Sequence, residues 1–212
     1  MQLPMCGDTF NARYRSVDAE ESINLYPNIL ETKEAKSNII LSPTPGRSVL
    51  QICSTPNHRG CAQNIERFFF VSYNILYEML SDNSLVQRGV ISTSFSGTVS
   101  MAFNVSQLMI VDGTPTGGFI LNLATNVFTQ ITAPAFQGGV TVNFIDGYFI
   151  INRPNTGYNQ LSAINDGLTW DPFAISSAEA SPDNLTAIVV LNKQVYLLGQ
   201  TTIEVLQNTG GT

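Results

Sequence analysis

The chain has 212 residues, of which 43% are hydrophobic and 12% charged; 16 acidic against 10 basic side chains leave a formal net charge of −6 and a pI near 4.6. This balance argues against a protein that grips nucleic acid, because neutralising phosphates needs clustered Lys and Arg. The length suffices for one large β domain that removes about 70% of its unfolded surface from water, and so low a charged fraction suits a surface partly covered by partners.

No run of about 18 apolar residues is present, so no membrane span is expected. The start, Met1 to Asp8, lacks the basic and apolar regions of a signal peptide, and synthesis in a cytosol, or use in a particle assembled there, is expected. Cys6, Cys53 and Cys61, with the single histidine His58, give neither a disulfide framework nor a zinc pattern and read as free thiols.

Residues 1–57 read as an extended strand-and-turn lead-in. Ser22 to Pro27 resembles a short strand ended by its proline, Glu31 to Lys36 is a charged patch, and Ser42-Pro43-Thr44-Pro45-Gly46 breaks the chain because each proline fixes φ and restrains its predecessor. Ile39 to Leu41 and Ser48 to Cys53 flank that break as strands.

Residues 58–212 are repetitive. Four strongly apolar strands, Arg67 to Ser72, Gln107 to Val111, Gly147 to Ile151 and Gln194 to Leu198, each follow a partner: Gly60 to Asn64, Val99 to Phe103, Val140 to Phe144 and Leu185 to Leu191. The first three start about 40 residues apart, the period of four-stranded propeller blades. A lone four-stranded sheet exposes two faces, and stacking sheets around an axis buries them. The expected fold is therefore an all-β propeller of four-stranded antiparallel blades. Three are full, at Gly60 to Ser94, Gly97 to Pro134 and Gly138 to Pro172. A fourth starts near Leu185 and stops after a third strand at Thr201 to Gln207. Ser48 to Cys53 is a candidate for the missing strand; without it the ring stays incomplete. A β-sandwich is the competing architecture, and the regular spacing favours the propeller. Asp146-Gly147 reads as a tight hairpin turn, and Ala174 to Ala180 could supply a helical turn or two.

Chemistry is sparse. His58 lies in a Pro-Asn-His-Arg-Gly turn and reads as a surface loop residue. No Gly-x-Ser-x-Gly elbow is present, and Gly113 to Gly118 lacks the Lys-Ser/Thr ending of a phosphate loop. Asp112 and Asp146, each followed by glycine, read as matching blade positions, and two carboxylates facing one pocket would suit a glycosidase. With Tyr148 and Trp170 they define an alternative reading as a carbohydrate-binding or glycosidase-like propeller; Asp-Gly turns explain both aspartates without it. Asn165 to Trp170 is similar to the Asp-box turn of sialidase-type propellers, with Asn165 in the aspartate's place and Ala163 in the serine's. No catalytic, cofactor-binding or metal-ligating residue is assigned, and no cofactor is expected.

Asn24-Leu25-Tyr26-Pro27, Pro43-Thr44-Pro45-Gly46, Val111-Asp112-Gly113, Ile145 to Ile150, Asn152-Arg153-Pro154, Asp171-Pro172-Phe173, Pro182 to Leu185 and Thr202 to Val205 follow one another through the chain. In these residues and their order the chain resembles the packaged-DNA stabilisation proteins of short-tailed bacteriophages, also called tail hub or nozzle proteins. The resemblance implies a non-enzymatic β-propeller subunit of the virion tail, assembled in the host cytoplasm. It implies a ring, commonly of six copies, below the portal and its adaptor ring. Such a ring continues the DNA channel, helps retain the packaged genome until ejection, and carries tail fibre, spike or needle proteins. Double-stranded DNA would pass without sequence recognition, and no membrane partner is implied.

Overall fold

The computed structural model describes residues 25–29, 39–46, 48–55, 57–178 and 183–207. Two compact units divide the chain, Met1–Leu50 and Gln51–Thr212. In the first, β1 (Leu25–Ile29) pairs antiparallel with β2 (Ile39–Pro43), Leu25 opposite Pro43 and Ile29 opposite Ile39. The strand expected to end at Pro27 runs through it. Both strands of a two-stranded ribbon are edges, and an edge tolerates a proline whose nitrogen faces away from its partner. Residues 22–24 and the charged patch at 31–36 lie outside the described residues.

The second unit is a succession of antiparallel meanders. β3 (His58–Gln63), β4 (Phe68–Ser72), β5 (Ile75–Met79) and β6 (Leu85–Val90) make the first sheet. The second contains β7 (Ser100–Phe103), β8 (Gln107–Val111), β9 (Gly118–Asn122) and β10 (Phe128–Gln130). The third contains β11 (Val142–Ile145), β12 (Tyr148–Asn152), β13 (Tyr158–Ala163) and β14 (Asp166–Ser177). β15 (Leu185–Leu191), β16 (Gln194–Gly199) and β17 (Ile203–Gln207) form a last sheet of three. The propeller reading is borne out: all-β, three four-stranded blades and a shorter fourth. The hairpin between β11 and β12 turns on Asp146 (φ 48°) and Gly147 (φ 92°), the two positive φ values that match a two-residue turn to strand twist.

Successive side chains of a strand point to opposite faces, and here each face has its own core. From β8, Leu108 and Ile110 enter a cluster with Phe69, Val71 and Phe119 between the first and second sheets. Met109 and Val111 enter another, with Ile120, Phe149 and Trp170, between the second and third. From β12, Ile150 turns to a third core with Leu185, Ile188 and Leu197. Burying each such side chain contributes roughly 1.5–3 kcal/mol. The first strands of the sheets, β3, β7, β11 and β15, meet one another in that order, as strands nearest a propeller axis do.

Two expectations are corrected. Ser48 to Cys53 forms no strand; the residues that follow are tied to the first sheet, where the Ser72 hydroxyl donates to the Thr55 carbonyl at 2.6 Å and the Ser54 and Tyr77 hydroxyls meet at 3.4 Å. The last sheet accordingly has three strands among the described residues. Ala174 to Ser177 are not helical but continue β14. That strand leaves the ladder and returns: Trp170 faces Ser162 and Ile175 faces Gln160, so Asp171 to Ala174 stand out as an excursion. Pro172 cannot donate to a ladder, and Phe173 is carried out to 90% exposure.

Close approach of sheets shapes the sequence at Gly89 on β6, where a Cβ would run into the ring of Phe128, itself stacked on Phe119 at 5.3 Å. Gly89→Val is expected to cost about 1–3 kcal/mol by overpacking, read as a lowered urea midpoint with an unchanged m-value. A wild-type midpoint would show that the seam relaxes freely.

Candidate functional site

The buried charged side chains among the described residues, Arg59, Glu78 and Asp112, all lie where the first and second sheets join. Glu78, on the central strand β5, is 3% exposed. Arg67 forks over both of its carboxylate oxygens at 2.6 and 2.7 Å, and Arg88 of β6 donates to one of them at 2.5 Å. Arg67 also crosses to the second sheet, donating to the Leu123 carbonyl at 2.6 Å and the Asn126 side-chain oxygen at 2.5 Å. Its guanidinium lies 4.8 Å from the centre of the Phe69 ring. A buried carboxylate is tolerated when paired and hydrogen-bonded like this. The Arg67 hydrogen bonds hold the Glu78 carboxyl below its ordinary pKa against the opposing effect of burial, with Arg88 adding to them.

At the other end of these sheets, Arg59 of β3 donates to the carbonyls of Gly97 and Tyr73, both at 2.8 Å, and to the Ser94 hydroxyl at 2.7 Å. Ser94 in turn donates to Asp112 at 2.6 Å, beside Thr93, while the Thr114 hydroxyl and amide donate to the other Asp112 oxygen at 2.7 and 3.0 Å. Burial alone would raise the Asp112 carboxyl; the hydroxyls of Ser94, Thr93 and Thr114 and the Thr114 amide outweigh it and lower its pKa.

The other seams are neutral at corresponding places. Between the second and third sheets, the Val142 amide donates to the Ser100 hydroxyl at 3.0 Å and the Gly167 amide to the Gln107 side chain at 2.9 Å. Between the third and fourth, Asn152 and Asn143 donate through Nδ2 to the carbonyls of Leu185 and Ile188 at 3.2 and 2.7 Å, and the Ile188 amide donates to the Thr141 hydroxyl at 2.8 Å.

Asp112 and Asp146 do not match in the fold. Asp112 follows the second strand of its sheet and Asp146 the first strand of the next, which puts them at opposite ends of antiparallel sheets. The positions equivalent to Asp112 are Ser72 and Asn152, buried polar residues each 40 positions from it, at the ends of β4 and β12. Asp146 and Tyr148 instead line a cleft between the third and fourth sheets. Trp170 is buried against Phe136, ring centroids 5.1 Å apart, with Nε1 donating to the Gly167 carbonyl at 2.8 Å. In the Asp-box-like turn, Asn165 has φ 54° and Asp166 accepts from the Leu168 amide and the Thr169 hydroxyl, so the motif closes a hairpin. His58 opens β3, where a turn was expected, and is exposed against the Phe70 ring. Cys53 and Cys61 are free thiols; Cys6 lies outside the described residues. Among the described residues no group of three or more His, Cys, Asp and Glu side chains could hold a metal ion. Sequence reasoning missed Arg59, Arg67 and Glu78; a lone Glu on an otherwise apolar strand, Ile75 to Met79, was the available signal.

Glu78→Ala, which leaves two arginines at a seam without their carboxylate, is expected to cost about 3–5 kcal/mol, measured by chemical denaturation. Glu78 and Asp112 have depressed folded-state pKa values. Their contribution is therefore present above the unfolded carboxylate range near pH 4 and lost as pH falls through the folded values. Thermal melts from pH 7 downward are expected to show this loss and Asp112→Asn to flatten it; an unchanged slope would remove Asp112 from the acid response.

The comparisons with known proteins agree with this architecture. No curated protein sequence matches the chain. Among solved structures, the computationally designed protein Ika4 matches with a TM-score of 0.55 at 10% identity, over 77% of this chain and 99% of that one. The designed protein Ika8 gives 0.53 at 12% identity, over 71% and 45% of the two chains. The extracellular domain of BT4673 of B. thetaiotaomicron gives 0.51 at 13%, over 76% and 23%. The chain thus spans less than half the length of the last two, and at such identities the likeness is one of fold. The family model described as bacteriophage P22 Gp10, β-propeller, the phage stabilisation family, matches residues 1–212. The chain therefore belongs to the phage stabilisation family of the P22 Gp10 β-propeller.

Proposed function

We propose that this phage structural protein is a tail hub or nozzle subunit of a short-tailed bacteriophage. Copies form a ring, six in the simplest case, below the portal and its adaptor; the ring continues the DNA channel, helps retain packaged DNA and anchors fibre, spike or needle proteins. The family match across residues 1–212 carries this reading. The disposition of the buried charges supports it, because Arg59 and Asp112, and Arg67 held by Glu78, are engaged where two sheets join. The net charge of −6 suits a wall along which DNA slides without sticking. The carbohydrate reading gains nothing from Asp112 and Asp146, which stand at opposite ends of their sheets.

Electron microscopy of purified particles, and of the recombinant chain mixed with its adaptor ring, is expected to show a symmetric ring of this chain below the adaptor. Monomers that never join a tail would overturn the proposal. A short linear duplex at 0.15 M salt is expected to bind the chain more weakly than about 10⁻⁴ M, measured by gel retardation. Tight retention there would remove the sliding-wall role while leaving the ring itself to the microscopy.

A further inference from the structure

The third sheet breaks its own outer strand to put an aromatic ring in solvent. Between the pairs Gln160–Ile175 and Ser162–Trp170, four residues of β14, Asp171 to Ala174, stand against Leu161 alone. A bulge of this kind disrupts the ladder and re-aims a side chain. Here that side chain is Phe173, at 90% the most exposed aromatic among the described residues. The excursion is braced. Pro172 has its φ fixed by its ring, and the Asp171 side-chain oxygen accepts from the Phe173 amide at 2.8 Å. Gln160, 0% exposed, donates through Nε2 to the Asp171 carbonyl at 3.3 Å and to the Ala135 carbonyl at 3.0 Å. Trp170, buried against Phe136, anchors the strand just before it. Apolar residues scattered singly on a surface need no explanation, but a ring raised on a braced bulge is preorganised, which lowers the ordering cost of binding.

Charge around the ring indicates what receives it. From residue 154 to residue 192 the sequence has four acidic side chains, Asp166, Asp171, Glu179 and Asp183, and no Lys, Arg or His. Asp166 and Asp171 share β14 with Phe173. An aromatic anchor beside carboxylates complements an apolar socket rimmed by Lys or Arg. It is repelled by an anionic surface, whether nucleic acid, acidic lipid or the same face of a second copy. We propose that Phe173 docks into such a basic-rimmed apolar socket on another protein, with Asp171 against the socket's cations. Aromatic side chains are enriched at the cores of protein interfaces, and complementary charge at the rim sets which partner is accepted. The docking goes beyond the tail role and holds for a partner met anywhere in the infected cell.

The test places the photo-cross-linking residue p-benzoylphenylalanine at position 173 of the full chain, made in infected host cells and irradiated before particles are purified. One other protein is expected to be captured, joined through apolar residues that have Lys or Arg beside them. That protein is then purified and titrated against the chain. Phe173→Ser is expected to bind it roughly tenfold or more weakly and Phe173→Tyr to keep most of the affinity. Asp171→Asn, whose amide oxygen preserves the turn bond to Phe173, is expected to bind several-fold more weakly and with less dependence on salt. Thermal melts establish that the substituted chains fold. No cross-link, capture at a site without basic residues, or binding that neither Phe173→Ser nor Asp171→Asn changes overturns the proposal. So does a cross-link to this chain itself, within one copy or to a second, which would make Phe173 a contact of folding or self-assembly. Absence of the chain from finished particles would remove the tail role and leave the docking standing.

Discussion

Everything in the second unit follows from the need of a four-stranded sheet to cover two apolar faces. β8 meets that need in five residues, giving Leu108 and Ile110 to one core and Met109 and Val111 to the next. A strand built this way has no solvated face, so its sequence loses the polar alternation of an ordinary antiparallel strand and reads as a continuous apolar run. Because every interior sheet is shared between two cores, no sheet is stable alone, and the unit gains stability by addition of neighbours. The low charged fraction of the chain is the compositional trace of that arrangement.

Apolar packing is non-directional and would let one sheet slide along the next. The polar joints remove that freedom. Arg67 fixes the turn after β9 relative to β5, and Asn143 fixes β15 relative to β11. In each case a side chain from one sheet reaches a main-chain carbonyl of its neighbour, a target that exists whatever side chain the neighbour carries. Sheets of unrelated sequence can therefore be locked together by changing one residue on one side of the seam.

Much of this was legible in the residues. The 40-residue spacing of the apolar strands located the three full blades, and Asp146-Gly147 named its own turn. What failed did so for identifiable reasons. Asp112 and Asp146 were equated because both precede glycine, yet one follows a second strand and the other a first; the dipeptide records a turn and not its position in a sheet. Ser48 to Cys53 has strand-forming side chains, but Thr55 and Ser72 bond reciprocally to each other's carbonyls at 3.4 and 2.6 Å and commit the following segment to the first sheet. Ala174 to Ala180 offered a helical turn through its alanines, and ladder pairing of Ile175 to Ser177 with β13 overrode it there. The turns at Asn64 and Asn104, whose side-chain oxygens each accept from the amides two and three residues on, are alike in the fold. Their sequences, Asn-Ile-Glu-Arg and Asn-Val-Ser-Gln, share only the asparagine. The Arg67–Glu78 pair joins residues whose contact depends on strand register, which single-chain patterns do not encode.

The seams are not interchangeable, and this bears on how such a chain finds its order. Sheets of the same length, twist and apolar content are natural partners for the wrong neighbour, and misassembly is the characteristic failure of repeated architectures. Here the first seam is written in charge, through Glu78 and Asp112, the second in hydroxyl and amide contacts at Ser100 and Gln107, and the third in the carboxamides of Asn143 and Asn152. A first sheet docked on the third would deprive Arg67 of its Leu123 and Asn126 acceptors, and a fourth docked on the second would orphan two asparagines. The differences between otherwise similar blades thus act as an address code, admitting one sequence of neighbours and penalising the rest.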